Sequence, residues 1–353
     1  MKKYTSAIIV ISFFAVIFGI SYSFIFQTND SNISCSSNLS LSSPEMFSET
    51  IETYFSENLF CKKFLRFLKA NVAYNILFQV ENNGLIIKEG SITKTDEQKD
   101  DVLKHSFDIF ERISSDFCSK KVIAILPSKN EYFFESCVLF RFYDNILDKI
   151  KTEFNTEFEI IDSKNTFNLT SFFNTDHHIK QPSMLSLKNQ ITQELCSGVS
   201  VEEPKKIKTA TNSFVGVFGV QSAIPVCKDC LEYIESPTIN NANVKVFNNG
   251  NFEDGKVYHE EYKNEYNFFF GGNKGIIKIN NMNIDKKDSG RLVIFRDSYA
   301  SALAPLLIED FSEIILIDLR IIDYEKAIDI VGKEGNVLLL YGTQSICCDG
   351  ISR

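Results

Sequence analysis

Apolar and polar positions follow one another along this chain with a period that changes from segment to segment, and those changes outline an α/β domain. Residues 122–126 are a compact apolar run closed by Pro127, the pattern of a strand buried on both faces of a parallel sheet. Helical spacing precedes it (Val102, Leu103, Phe107, Phe110 and Ile113, within 96–119) and follows it (139–154), and 158–161 reads as the next strand. The clearest alternation closes the chain, with strands at 291–295, 313–319 and 337–341 separated by helices at 299–311 and 324–332. Strand alternating with helix predicts a mostly parallel sheet with helices on it. Between these regions the pattern gives a helix at 184–196, a β-rich stretch at 209–220 and a turn-rich segment at 225–237. Short strands follow at 244–246, 256–258 and 276–279. Nearer the start, 44–70 carries aromatic residues at helical spacing, 71–80 is apolar and β-rich, and 81–84 is a turn leading into 85–88.

The N-terminus departs from this pattern. Lys2 and Lys3 precede a run without a charge, from Ala7 to Phe26, long enough to cross a bilayer as a helix. The flanking lysines favour a cytoplasmic N-terminus. A cleaved signal peptide shares the charged start and apolar run. The run is longer than a usual signal core, however, and no small-x-small site follows Phe26, which favours an uncleaved anchor. Residues 1–27 are then a signal-anchor helix, and 28–43, rich in Ser and Asn, a flexible tether. That leaves 44–353 as one extracytoplasmic domain of a single-pass cell-membrane protein.

Composition narrows the choices further. A chain of 353 residues can bury a sizeable core, and a net charge of −9 without a Lys/Arg cluster excludes a nucleic-acid binder. The nine cysteines are an odd number, so in an exported chain at least one is unpaired or bonded elsewhere. Cys227 and Cys230 have the spacing of a redox or zinc half-site, but Cys347 and Cys348 are adjacent and do not complete one; scattered thiols or a local bridge fit better.

Two short stretches carry candidate chemistry. Asn174-Thr175-Asp176-His177-His178 lies on a loop before a helix, and Arg296-Asp297-Ser298-Tyr299 joins a strand to a helix. A hydroxyl at a strand-to-helix turn, with base and orienter supplied elsewhere, is the kit for acyl transfer. Of four histidines, His105 falls in an expected helix and His259 among charged residues, which leaves the pair beside Asp176. On an extended backbone residues two apart face the same way, so Asp176 can orient His178 toward Ser298 while His177 points away. Alone, the Asp-His-His element also reads as a local turn network, and Asp297 as a helix cap. The backbone N–H groups of Ser298 and its neighbour are natural oxyanion donors, and Gly272 with Asn273, after three phenylalanines, is a further candidate. This kit needs no metal or other cofactor.

These stretches, together with Pro305 and Ile317-Asp318-Leu319-Arg320, resemble the DHHW family of Gram-positive bacteria, relatives of the alginate acetylation proteins in the SGNH-hydrolase superfamily. Weaker echoes are Phe270-Gly271-Gly272-Asn273, Leu126-Pro127-Ser128-Lys129 and the Asn83-Gly84 turn. The resemblance implies an SGNH-like three-layer α/β/α domain with Ser298 as nucleophile, His178 as base and Asp176 as orienter. It also implies transfer of acetyl groups on or off a cell-surface polysaccharide, with a membrane-bound acyltransferase as a possible donor; a non-catalytic glycan-binding or assembly protein is the alternative. Ile179 stands where the family motif has tryptophan, a residue that packs the loop or stacks on sugar. DHH phosphoesterases share Asp-His-His as part of a manganese site, but an exported chain with Arg296-Asp297-Ser298-Tyr299 fits them poorly.

Overall fold

The computed structural model describes residues 62–352 except 83, 135–140, 155, 197–203, 225 and 283–289. The expected anchor and tether lie outside the described residues, as do 44–61 and Cys35, Cys61 and Cys137. Among the described residues no helix is long and apolar enough to cross a membrane.

The chain divides into two units, Met1–Phe78 and Gln79–Arg353. In the first, helix α1 (Lys62–Asn71) runs on into one π turn, Val72–Ile76. The β-rich reading of 71–80 is therefore wrong over its first half. Extending an existing helix adds bonds at little further cost, as Leu77 N–H does to Val72 O, whereas an isolated strand has no partner.

The second unit starts with a small antiparallel sheet of β1 (Glu81–Asn82), β2 (Leu85–Lys88) and β3 (Ser91–Lys94). Next come α2 (Asp100–Asp116), β4 (Lys121–Leu126), α3 (Asn130–Phe133), α4 (Tyr143–Phe154), β5 (Glu159–Asp162) and α5 (Leu185–Leu195). The middle of the unit holds β6 (Lys206–Phe214), α6 (Val217–Ser222), β7 (Asp229–Glu235), α7 (Pro237–Asn240), β8 (Asn243–Asn248), β9 (Asn251–Gly255) and β10 (Ile276–Asn280). It ends with β11 (Arg291–Arg296), α8 (Ala300–Leu307), β12 (Glu313–Ile317), α9 (Tyr324–Val331) and β13 (Asn336–Gly342). The main sheet has eight strands in the order β5-β4-β13-β11-β12-β10-β8-β9. Its first five run parallel, and β10, β8 and β9 add an antiparallel flank.

Side chains leave a strand on alternate faces, and both faces here are covered. Leu292 and Ile294 join a core with α5 and α8, while Val293 and Phe295 join another with α2, α4 and α9. Fully burying each such Ile or Leu contributes about 2 kcal/mol, which is why these strands read as unbroken apolar runs. The fold is thus mixed α/β around a large, mostly parallel sheet, and the strand ends beside β11 form its crevice-bearing edge.

Three local expectations change. The stretch expected as β at 209–220 is strand only to Phe214, then helix α6. The tertiary contact decides this: Gly216 N–H donates to Thr175 Oγ1 and Gly219 N–H to Thr175 O. The turn-rich 225–237 contains β7, paired antiparallel with β6. No strand forms over 256–258, where Tyr258 alone bridges Phe269. The strand of this region is β9, just before it, reached through a hairpin in which Asn249 and Gly250 take φ of 46° and 89°, the Asn-Gly turn that matches strand twist.

Candidate active site

Strand β11 is central in the sheet, and its last residue leads directly into the turn that holds Ser298. Asp297 fixes that turn. Its carboxylate accepts from Tyr299 N–H at 2.9 Å, Gly342 N–H at 2.7 Å and the Ser345 hydroxyl at 2.7 Å. The cap expected of Asp297 is therefore also a tie between β11 and the end of β13. It commits the Tyr299 N–H, which is no longer available as the neighbour donor expected for an oxyanion; Ser298 N–H has no partner among the described residues.

The other half of the site arrives on the 173–178 loop. Phe173 N–H donates to His178 O, closing the loop, and Phe172 bridges Ile179 beneath it. Asp176 Oδ1 accepts from His178 N–H at 3.0 Å and from the same residue's Nδ1 at 2.6 Å, and Oδ2 accepts from Val217 N–H at 2.8 Å. His178 Nε2 is thereby left as an acceptor facing the Ser298 hydroxyl, 2.9 Å away. Burial by itself would raise the Asp176 carboxyl, but the two imidazoles and the Val217 N–H outweigh it and hold the group well below the usual carboxylate range. The loop approaches α6 so closely that a Cβ on Gly216 would lie 2.3 Å from Asp176 Cβ and Oδ2.

His177 does not point away. Its ring lies 3.9 Å from that of His178, and it lines the same cavity as Ser298. Its Nδ1 is 3.2 Å from Asp176 Oδ1 yet makes no aligned hydrogen bond. Burial, then the neighbouring imidazole, push it down to about 3. The face of His178 is covered by Tyr266, whose ring is stacked at 3.6 Å and 12°. The Tyr299 hydroxyl donates to His177 O at 3.0 Å.

Asp176, His177 and His178 each offer a metal-ligand atom within 4.8 Å of the others. Of these atoms, the Asp176 oxygens already accept the Nδ1–H and backbone N–H bonds described above and His178 Nε2 faces the Ser298 hydroxyl, whereas His177 Nδ1 makes no aligned bond.

A cavity of about 160 Å³ opens onto Ser298 and is lined also by His177, Phe218, Lys94, Arg320 and Gln344. Arg320 is held by Asp318, donating from Nε at 2.9 Å and from Nη2 at 2.7 Å. Burial opposes its charge, but these bonds to Asp318 prevail and raise its pKa above the ordinary arginine value.

Gly272 and Asn273 are not brought to this cavity. Asn273 is exposed, and Gly272, at φ 89°, rests against the side chain of Asn267. The loop instead turns beside a separate cavity lined by His259 and Tyr262. His105 bonds Ser352 and His259 bonds Glu261. Ile179 is fully buried among the core residues, so position 179 packs the loop from beneath and does not face the cavity. Cys227 and Cys230 are both free thiols. Sequence reasoning missed Tyr266, Gly216 and Val217, which carry no motif of their own. Arg320 was visible only as part of a resemblance.

No protein-family model and no curated protein matches this chain. Solved structures do. A DHHW family protein from Eubacterium siraeum superposes with a TM-score of 0.59 at 16% identity, over 78% of this chain and 98% of that one. Bacillus cereus PatB1 with a sulfonyl adduct gives 0.61 at 18%, over 76% and 98%, and PatB1 without it gives 0.60 at 18%, over 75% and 98%. The chain thus shares with these structures a mixed α/β fold around a large, mostly parallel sheet, as the DHHW resemblance led us to expect at that level.

Proposed function

We propose that this chain is a serine-dependent O-acetyl transferase or esterase acting on a cell-surface polysaccharide. The observation that carries the reading is the continuous hydrogen-bond path from Ser298 through His178 to Asp176 at the mouth of a cavity. In the first half-reaction the Ser298 hydroxyl gives its proton to His178 Nε2 as its oxygen attacks the acyl carbonyl. Asp176 stabilises the imidazolium that forms. Ser298 N–H, near the start of α8, donates to the developing oxyanion, and the fixed positive charge of Arg320 in the same cavity adds to its stabilisation. Collapse breaks the bond to the leaving alcohol, which takes the proton from His178, and leaves an acetyl ester on Ser298. In the second half-reaction His178 removes a proton from an acceptor hydroxyl as its oxygen attacks the acetyl carbonyl; the ester bond to Ser298 then breaks, and Ser298 Oγ takes the proton back from His178. A glycan acceptor gives transfer and water gives hydrolysis. The run from Ala7 to Phe26 would anchor the domain outside the membrane, within reach of a membrane-bound acyltransferase as donor.

The test is turnover of a simple acetyl ester by the full-length protein. Ser298→Ala is expected to lower it by about a thousandfold or more. Full activity in Ser298→Ala would sink the proposal.

A further inference from the structure

The loop that carries Asp176 is gripped from two sides by charges that take no part in the relay. Lys129, at the start of α3, is almost completely buried, and its ammonium points at four backbone carbonyls. It donates to Ile92 O at 2.6 Å, Phe173 O at 2.8 Å, Asn174 O at 2.9 Å and Asp176 O at 3.3 Å. Asp229, the first residue of β7, is equally buried and takes the amide side of the same backbone. It accepts from Asn174 N–H at 2.9 Å, Thr175 N–H at 2.8 Å and the Thr175 hydroxyl at 2.7 Å. One short stretch of main chain therefore has a cation on its carbonyls and an anion on its amides.

Neutral donors and acceptors would satisfy the same backbone groups at a smaller desolvation cost. What the charges add is rigidity and a fixed field beside the imidazoles. Burial pushes Lys129 down to about 7, against the attraction of Asp229 and Asp176, and Lys180 is the like charge that also faces it. The ammonium in turn disfavours protonation of the neighbouring His177.

We propose that Lys129 and Asp229 are positioning residues, coupled through the backbone of 173–176, that set both the seat of Asp176 and the field in which the imidazole takes up a proton. This rests on the relay reading given above. Removing the cation eases formation of the imidazolium in the resting protein, so the acid limb of Ser298 reactivity moves to higher pH. Asp229 acts through Lys129, whose charge it supports, so removing the anion moves the limb the same way and by less. A purely structural role moves neither.

The experiment is the rate of Ser298 labelling by phenylmethylsulfonyl fluoride across pH in the full-length protein, for wild type, Lys129→Met, Asp229→Asn and the double variant. Each single variant is expected to lose about a hundredfold in plateau rate, the cost of a small misplacement. Both midpoints should move to higher pH, further in Lys129→Met than in Asp229→Asn, and the double variant should lose less than the product of the two. Folded single variants with unmoved midpoints and independent losses would overturn the proposal. If Lys129→Met does not fold, Asp229→Asn and Lys129→Gln decide by the same midpoints. If wild-type Ser298 takes no label, it is the relay that fails, and amide exchange then reads the coupling. Faster exchange at Asn174 and Thr175 in Lys129→Gln, which touches neither amide, supports the coupling, and unchanged exchange overturns it.

Discussion

Two segments meet at the candidate site, and they are built differently. The 296–299 turn follows from its own neighbourhood: a buried strand, a helix start, and Asp297 tying both to the next parallel strand. The 173–178 loop has no regular element of its own. It is held by Val217 on α6, by Asp229 on β7 and by Lys129 just before α3. The difference teaches that the Ser298 hydroxyl is placed by local chain logic, whereas the imidazole facing it is placed by a network. The turn should therefore respond to substitution mainly in stability, and the loop mainly in reactivity.

The largest effect is expected within the loop itself. Asp176→Asn leaves the shape but frees the imidazole to take the wrong tautomer, and ester turnover should fall by about 10³- to 10⁴-fold. A loss of less than about tenfold would mean that Asp176 does not orient His178. Gly216→Ala comes next. Its Cβ collides with Asp176, so labelling of Ser298 should slow by about a hundredfold while stability drops by about 2 kcal/mol. Denaturant melts and labelling rates read the two separately. On the turn side the balance should reverse. Asp297→Ala strands three donors, and a cost of about 3 kcal/mol is expected in the same melts.

The fourth effect depends on pH. His177 is held neutral down to about 3, whereas in the unfolded chain it titrates near its ordinary 6.5. Between those values the unfolded state binds more protons, so stability falls as pH drops through that window. His177→Gln should remove that part of the slope in melts taken from pH 7 to pH 4; an unchanged slope would place its origin elsewhere. The smallest effect belongs to Asn273→Ala. This side chain is exposed and does not line the cavity, so ester turnover should stay within about twofold.

The same contrast explains what could be read from sequence. The β11–α8–β12–α9–β13 run was legible because each strand is buried on both faces, α8 is an apolar helix buried all round, and α9 keeps one apolar stripe. Helix α6 was not, because Gly216 and Gly219 look like turn residues until Thr175 is brought against them. Spacing identified His178 as the imidazole able to share a side with Asp176. It placed His177 wrongly because the loop is a tight turn in which adjacent rings lie side by side, not an extended strand. Gly272 and Asn273 had the composition of a close-approach loop, but nothing in composition says which cavity such a loop approaches. Tyr266 gave no signal, since stacking on an imidazole is a property of where two distant segments end.

The most direct test of the relay is to find the acyl group on the protein. Full-length wild type, Ser298→Ala and His178→Ala are each mixed briefly with p-nitrophenyl acetate, quenched in acid and digested, and the peptide containing residue 298 is examined by mass spectrometry. The account predicts acetyl on Ser298 in wild type alone. Acetate released at the wild-type rate by Ser298→Ala, or an acetyl group accumulating equally in His178→Ala, would contradict it.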